Sequence, residues 1–161
     1  MYKKEIERKF LVDKTKVPNL SQFKCINVRQ GYLSQQHDSL TVRVRSFNDE
    51  QFFLEMKDSG VMVRNELTYM ITKEEFEISY ALCGHKIITK RRYLVPSEKN
   101  NGKILEVDVY DDFDFITCEY EGTDIMDVET LISEDWFSED VTLKGEYSNK
   151  NLAYRRLNEK K

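Results

Sequence analysis

The octapeptide Glu5-Ile6-Glu7-Arg8-Lys9-Phe10-Leu11-Val12 places Glu5, Glu7 and Lys9 at successive alternate positions. In a β-strand, successive side chains point to opposite faces. Glu5, Glu7 and Lys9 then share one face, and Ile6, Phe10 and Val12 share the other. Two carboxylates beside an ammonium can hold a divalent cation and a phosphate oxygen together. For one strand alone, a half-buried strand with a solvated charged face is the simpler explanation of the pattern.

The same alternation recurs along the chain, with further strands expected near 29–34, 41–47, 51–57, 62–71, 86–95, 103–111 and 115–122. Arg43 and Arg45 share a face opposite Val42 and Val44. Glu55 and Lys57 oppose Phe52, Leu54 and Met56, and Arg64 and Glu66 oppose Val63 and Leu67. Lys90 and Arg92 align, while Glu106 and Asp108 oppose Leu105, Val107 and Val109. Glu119 and Glu121 oppose Ile116, Cys118 and Tyr120. Short turn signals such as Asn48-Asp49 and Asn100-Asn101-Gly102 separate several strands, so neighbours are expected to run antiparallel.

Two stretches change period. Thr72-Lys73-Glu74-Glu75 has the form of a capping box and predicts a helix to about Leu82, ended by Gly84. Residues 124–134 space Ile125, Val128 and Ile132 as in an amphipathic helix. A short helix is expected over 151–161, and a helical turn at Pro18-Asn19-Leu20.

Bulk composition limits the function classes. The 161 residues are 40% hydrophobic and 34% charged, which predicts one globular domain over 1–161. With 25 basic and 29 acidic residues the net charge is -4, which argues against duplex nucleic acid as a partner. No apolar run is long enough to span a bilayer, so no membrane role is expected. Cys25, Cys83 and Cys118 lack metal or disulfide spacing, which fits a reducing cytoplasm. His37 and His85 are isolated and read as surface or loop residues.

Like charges at i, i+2 repel, and neighbouring strands bring more of them together. An open sheet with one wet face produces alternation too, but it draws more on Thr, Ser and Gln. Closure into a barrel puts every second residue in the interior, where a ligand of complementary charge can neutralise the lining. The expected fold is therefore α+β and mainly β: an eight-stranded antiparallel closed β-barrel with a charged lumen and a few helices packed outside.

These residues resemble the CYTH family, the triphosphate tunnel metalloenzymes. The E-x-E-x-K hallmark stands as Glu5-Ile6-Glu7-Arg8-Lys9. Gln30-Gly31-Tyr32-Leu33, Val42-Arg43-Val44-Arg45, Leu54-Glu55-Met56-Lys57, Lys90-Arg91-Arg92-Tyr93, Glu106-Val107-Asp108-Val109 and Glu119-Tyr120-Glu121 follow in the family's order. Asp140-Val141-Thr142, Tyr147-Ser148-Asn149 and Leu152 resemble its C-terminal signature. Three positions depart from the pattern. Only Glu66 survives of the usual acidic run after Arg64, Gly122 stands where a bulky apolar residue is usual, and Cys118 replaces a small one.

The resemblance implies a triphosphate hydrolase using Mg²⁺ or Mn²⁺ and acting on inorganic triphosphate, ATP or thiamine triphosphate. It also admits an adenylate cyclase, or a non-catalytic polyphosphate- or nucleotide-binding barrel. It implies Glu5, Glu7, Glu119 and Glu121 as metal ligands, with Asp108 as a further contributor. Arg43, Arg45, Lys57, Arg64, Lys90 and Arg92 are implied as phosphate contacts, and Lys9 as a bridge between metal and phosphate. A homodimer is the one assembly the resemblance suggests.

Overall fold

A computed structural model of the chain describes residues 1–159. Among the described residues are nine strands: β1 (Tyr2–Val12), β2 (Lys24–Tyr32), β3 (Thr41–Phe47), β4 (Gln51–Lys57), β5 (Val63–Met70), β6 (Ile87–Pro96), β7 (Ile104–Tyr110), β8 (Ile116–Glu121) and β9 (Phe137–Asp140). Three α-helices accompany them, α1 (Lys73–Leu82), α2 (Ile125–Glu129) and α3 (Asn149–Glu159). The strand order is β5-β4-β3-β2-β6-β7-β8-β1, and β1 pairs with β5 to close an eight-stranded antiparallel barrel. β1 can seal the seam because it is long. Its residues 2–6 pair with β5, and residues 7–11 pair with β8.

All eight expected strands are present; β3 and β4 have the expected ends, and the other six are shifted. β1 begins at Tyr2 and β2 at Lys24, five residues before the alternation becomes visible. The β3–β4 hairpin turns at Asn48 and Asp49, with φ of 55° and 54°. Both are left-handed, as the tight hairpin turn that follows strand twist requires. The expected turn near Leu20 is a 3-10 turn at Leu20–Gln22, capped by the Asn19 side chain on Ser21 N.

The apolar faces point outward and are covered. α1 starts with the complete Thr72–Glu75 capping box and buries Phe76 against Phe52, ring centroids 5.2 Å apart, with Val44 and Cys83 beneath. Gly84 follows it at φ 61°. α2 buries Val128 beside Ile6, Phe10, Val107, Cys118 and Tyr120.

Three differences from the sequence expectation have physical causes. α2 stops at Glu129 rather than 134, because the Asn100 amide binds both the N–H and the carbonyl of Ile132 at 2.8 Å and holds that segment off the helix. β9 pairs with Phe10–Val12 on the edge opposite β8. With four residues, it is too short to show a period. α3 does not join the outer jacket. Its Leu152 and Ala153 pack on Tyr32, Ile88 and Tyr110, which share the lumen face with Arg43, Gln30 and Lys90 by register, so α3 seats across one end of the barrel. Lys160 and Lys161 of the expected C-terminal helix lie outside the described residues. His37 and His85 are exposed, and all three cysteines are free.

Candidate active site

Strand register brings the charges of the lumen into two groups. Glu7 stands directly opposite Glu121, and Lys9 opposite Glu119, across β1 and β8. Glu106 faces Glu119 across β7 and β8. This makes one acidic wall. Arg43, Lys57 and Arg64 rise from β3, β4 and β5 on the other side, with Arg45 beside Arg43. Between the walls lies a cavity of about 490 Å³. Glu5, Glu7, Lys9, Arg43, Arg45, Lys57, Arg64, Arg92, Glu119 and Glu121 all line it.

Two expected site residues stand behind the lining rather than on it. Asp108 is fully buried, and both its oxygens are taken. Lys90 Nζ donates to Oδ2 at 2.7 Å, Arg92 Nε to Oδ1 at 2.8 Å, and Arg92 Nη2 to Oδ2 at 2.8 Å. Asp108 thus meets cations of the protein rather than the cavity, and Lys90 is drawn back with it. Burial pushes the Lys90 ammonium down to about 8, with Arg92 beside it adding to the effect and Asp108 opposing it.

The acids that reach the cavity differ in state. Glu5 forms ion pairs with Lys57 and, at 2.9 Å, with Arg64. Burial disfavours its charge, yet Lys57 and Arg64 outweigh this and hold Glu5 well below the usual carboxylate range. Glu119 is likewise held low against burial by Lys9 and Arg92. Glu7 goes the other way. Burial, then the charges of Glu119 and Glu5, push it up to about 8, and its nearest cation, Arg64, stands 3.6 Å away. Glu121 is more open and pairs with Lys3 at 2.8 Å. Lys9 donates to the Tyr147 carbonyl at 2.6 Å and lies 3.2 Å from Glu119, which ties the first strand to the segment leading into α3.

Glu7, Glu119 and Glu121 form a set of hard oxygen donors crowded by like charge, which suits a hard divalent cation. Among the described residues, no three acidic, His or Cys side chains converge closely enough to hold a metal by themselves. A Mg²⁺-like ion does not need that, since it takes one or two carboxylates and completes its shell with phosphate oxygens and water. The residues present therefore fit such an ion bound together with a phosphate ligand.

Several lining residues carry no signal in the alternating pattern. Ser148, Asn149, Lys150 and Asn151 reach the cavity from the start of α3, and Asp58–Val61 from the β4–β5 turn. Tyr32 also lines it, with its hydroxyl receiving a hydrogen bond from the buried Gln30 amide at 2.8 Å. Gln30 and Tyr32 belong to a motif that the sequence already shows, and the register places both on the lumen face of β2. The α3 segment is not a strand, so no period announces it.

A family profile for the CYTH domain matches residues 3–146. The chain belongs to the CYTH family. Among its relatives, an inorganic triphosphatase of Nitrosomonas europaea is 31% identical over 153 residues, covering 92% of this chain and 96% of the relative. The crystal structure of the inorganic triphosphatase NE1496 superposes with a TM-score of 0.67 at 28% identity, covering 92% of this chain and 93% of that one. A putative adenylate cyclase of Bacillus halodurans shares the fold, with a TM-score of 0.55 at 16% identity over 89% of this chain and 98% of the other. CYTH membership thus rests on sequence across the whole barrel and agrees with its closed, charged interior.

Proposed function

We propose that this CYTH protein is a divalent-metal-dependent triphosphatase that hydrolyses inorganic triphosphate to pyrophosphate and phosphate. One observation carries the reading. Among the described residues, the buried side-chain donors without a partner are the Nε groups of Arg43 and Arg45, and both arginines line the cavity. A guanidinium matches phosphate oxygens in geometry as well as charge. The inorganic triphosphatase activity named for the Nitrosomonas relative supports the same substrate.

Inorganic triphosphate fits the lining better than a nucleotide does. Tyr32, Phe47, Val61 and Val141 are the aromatic or aliphatic side chains of the lining, and they form no continuous platform for a base. The Phe47 ring is already covered by the Arg45 guanidinium at 4.7 Å. Cyclisation of ATP would need, besides the grip on the phosphates, a base pocket and a positioned ribose hydroxyl.

In phosphoryl transfer, the protein acts mainly by positioning and by stabilising charge. Arg43, Arg45, Lys57 and Arg64 would grip the phosphate chain from one side, and Arg92 from beside the acidic wall. Lys9 would contact the phosphate nearest the acidic wall. Glu7, Glu119 and Glu121, with Glu5 at their flank, would hold Mg²⁺ or Mn²⁺. When bound, that ion supplies charge neutralisation and a more acidic water. Asp108 would act from behind, keeping Arg92 and Lys90 in place.

The test is to offer purified protein tripolyphosphate, ATP and thiamine triphosphate with Mg²⁺ or Mn²⁺, scoring phosphate and cyclic AMP separately. Phosphate release from tripolyphosphate, fastest of the three and dependent on the metal, is expected. Tight binding without turnover of any of them would sink the enzyme reading.

A further inference from the structure

Arg43 and Arg45 stand at i, i+2 on β3, so their guanidinium groups share the lumen face and repel. Glu55 lies directly opposite Arg43 in the β3–β4 register and is completely buried. Its carboxylate takes both arginines. Oε2 accepts from Arg43 Nη2 at 2.9 Å and from Arg45 Nη2 at 3.1 Å, and Oε1 lies 2.8 Å from Arg45 Nη2. Among the described residues, both arginines form their ion pairs with Glu55 alone. Glu55 itself does not line the cavity.

Two cations sharing one anion leave a single positive charge on the pair. They also leave donors over, since each guanidinium has five N–H groups and its Nε is without a partner. The buried carboxylate thus fixes both groups from behind through Nη2, and among the described residues it leaves Nη1 of each cavity-lining arginine unpaired for a phosphate. A metal-ligand role is closed to it, because it is completely buried, its oxygens meet the arginines and the Glu66 carboxyl, and it does not reach the cavity.

We propose that Glu55 is a positioning residue of the triphosphatase: as the carboxylate shared by Arg43 and Arg45, it aligns both guanidinium groups for the reacting phosphate chain. This rests on the triphosphatase reading above. The role differs from that of a structural salt bridge, because Glu55 restrains the positive charge of the pair as well as orienting it. Its loss should disturb alignment without weakening attraction for the substrate.

Glu55→Gln keeps the shape and removes the charge. The expected result is a kcat for tripolyphosphate lower by about tenfold or more, since small displacements of positioned groups cost that much, at an unchanged or lower KM. The thermal midpoint and circular dichroism should stay close to wild type. Glu55→Asp keeps the charge but is one methylene short of reaching both arginines. It should give a smaller loss of kcat, and it decides alone if the Gln variant does not fold. A kcat within twofold of wild type in the folded variants overturns the proposal, as does a raised KM at unchanged kcat.

If the wild-type protein turns over no triphosphate, the triphosphatase reading falls separately. Glu55 is then judged by calorimetric titration with tripolyphosphate. The Gln variant should bind at least as tightly at low salt and lose affinity more steeply as salt is added. Weaker binding at low salt overturns the assignment.

Discussion

Glu7 and Asp108 are carboxylates of the same lumen in opposite states. Asp108 is saturated by Lys90 and Arg92, whereas Glu7 faces Glu119 and Glu5 and is pushed up to about 8. A glutamate that titrates near 4.5 when unfolded and near 8 when folded binds its proton more tightly in the native state. Its contribution to stability is complete below the unfolded value and is lost as pH rises through the folded one. In EDTA, the thermal midpoint of wild type should therefore fall between about pH 4.5 and 8 relative to Glu7→Gln, which lacks this titration. A wild-type curve parallel to that of the variant would contradict the assignment. Asp108→Asn should cost about 3–5 kcal/mol in urea unfolding, because it leaves two buried cations poorly compensated. Glu121→Gln, which breaks a half-open pair with Lys3, should cost no more than about 1 kcal/mol. Alternation in the sequence put every one of these groups on the lumen face. It could not separate lining from backing residues, because that depends on which strand supplies the partner and how far each side chain reaches.

At the scale of elements, Gly122 joins the acidic strand β8 to α2. A methyl group there would lie 2.6 Å from Val128 Cγ1 and 2.7 Å from Asp127 Oδ2. Val128 is fully buried, and Asp127 accepts from the Tyr120 hydroxyl at 2.7 Å and from Thr123 N at 2.9 Å, so neither can simply move aside. Gly122→Ala should destabilise by about 1–3 kcal/mol through this overpacking, read as a lower urea midpoint at unchanged slope. The departure from the family pattern at Gly122 was legible in the sequence, while its reason was not, since the crowding arises from a helix that follows in the chain. α1 was legible to the residue, because the Thr72–Glu75 cap is a local device. α2 was overextended, because the hand that holds Ile132 belongs to Asn100, far back in the sequence. β9 is held by its pairing with β1 and by stacking of Phe137 on Phe10 at 4.2 Å, contacts that leave no local trace.

For the whole molecule, the barrel joins its first strand to two segments far along the chain. Residues 2–6 meet 63–67, and residues 7–11 meet 117–121, so β1 completes its pairing only when distant segments have arrived. Glu5, Glu7 and Lys9 sit on that seam. While it is open they face water and their charges are solvated; when it shuts they are desolvated together. Assembly of the site and closure of the barrel are therefore one kinetic event, and so many non-local pairings place refolding in the range of milliseconds to seconds. Trp136, the sole tryptophan, accepts from Asp13 N at 2.8 Å just beyond the end of β1 and packs edge-on against Phe137. Its fluorescence is a built-in clock for the seam, and its slow phase should coincide with the recovery of tripolyphosphate hydrolysis; activity returning well before that signal would uncouple the two.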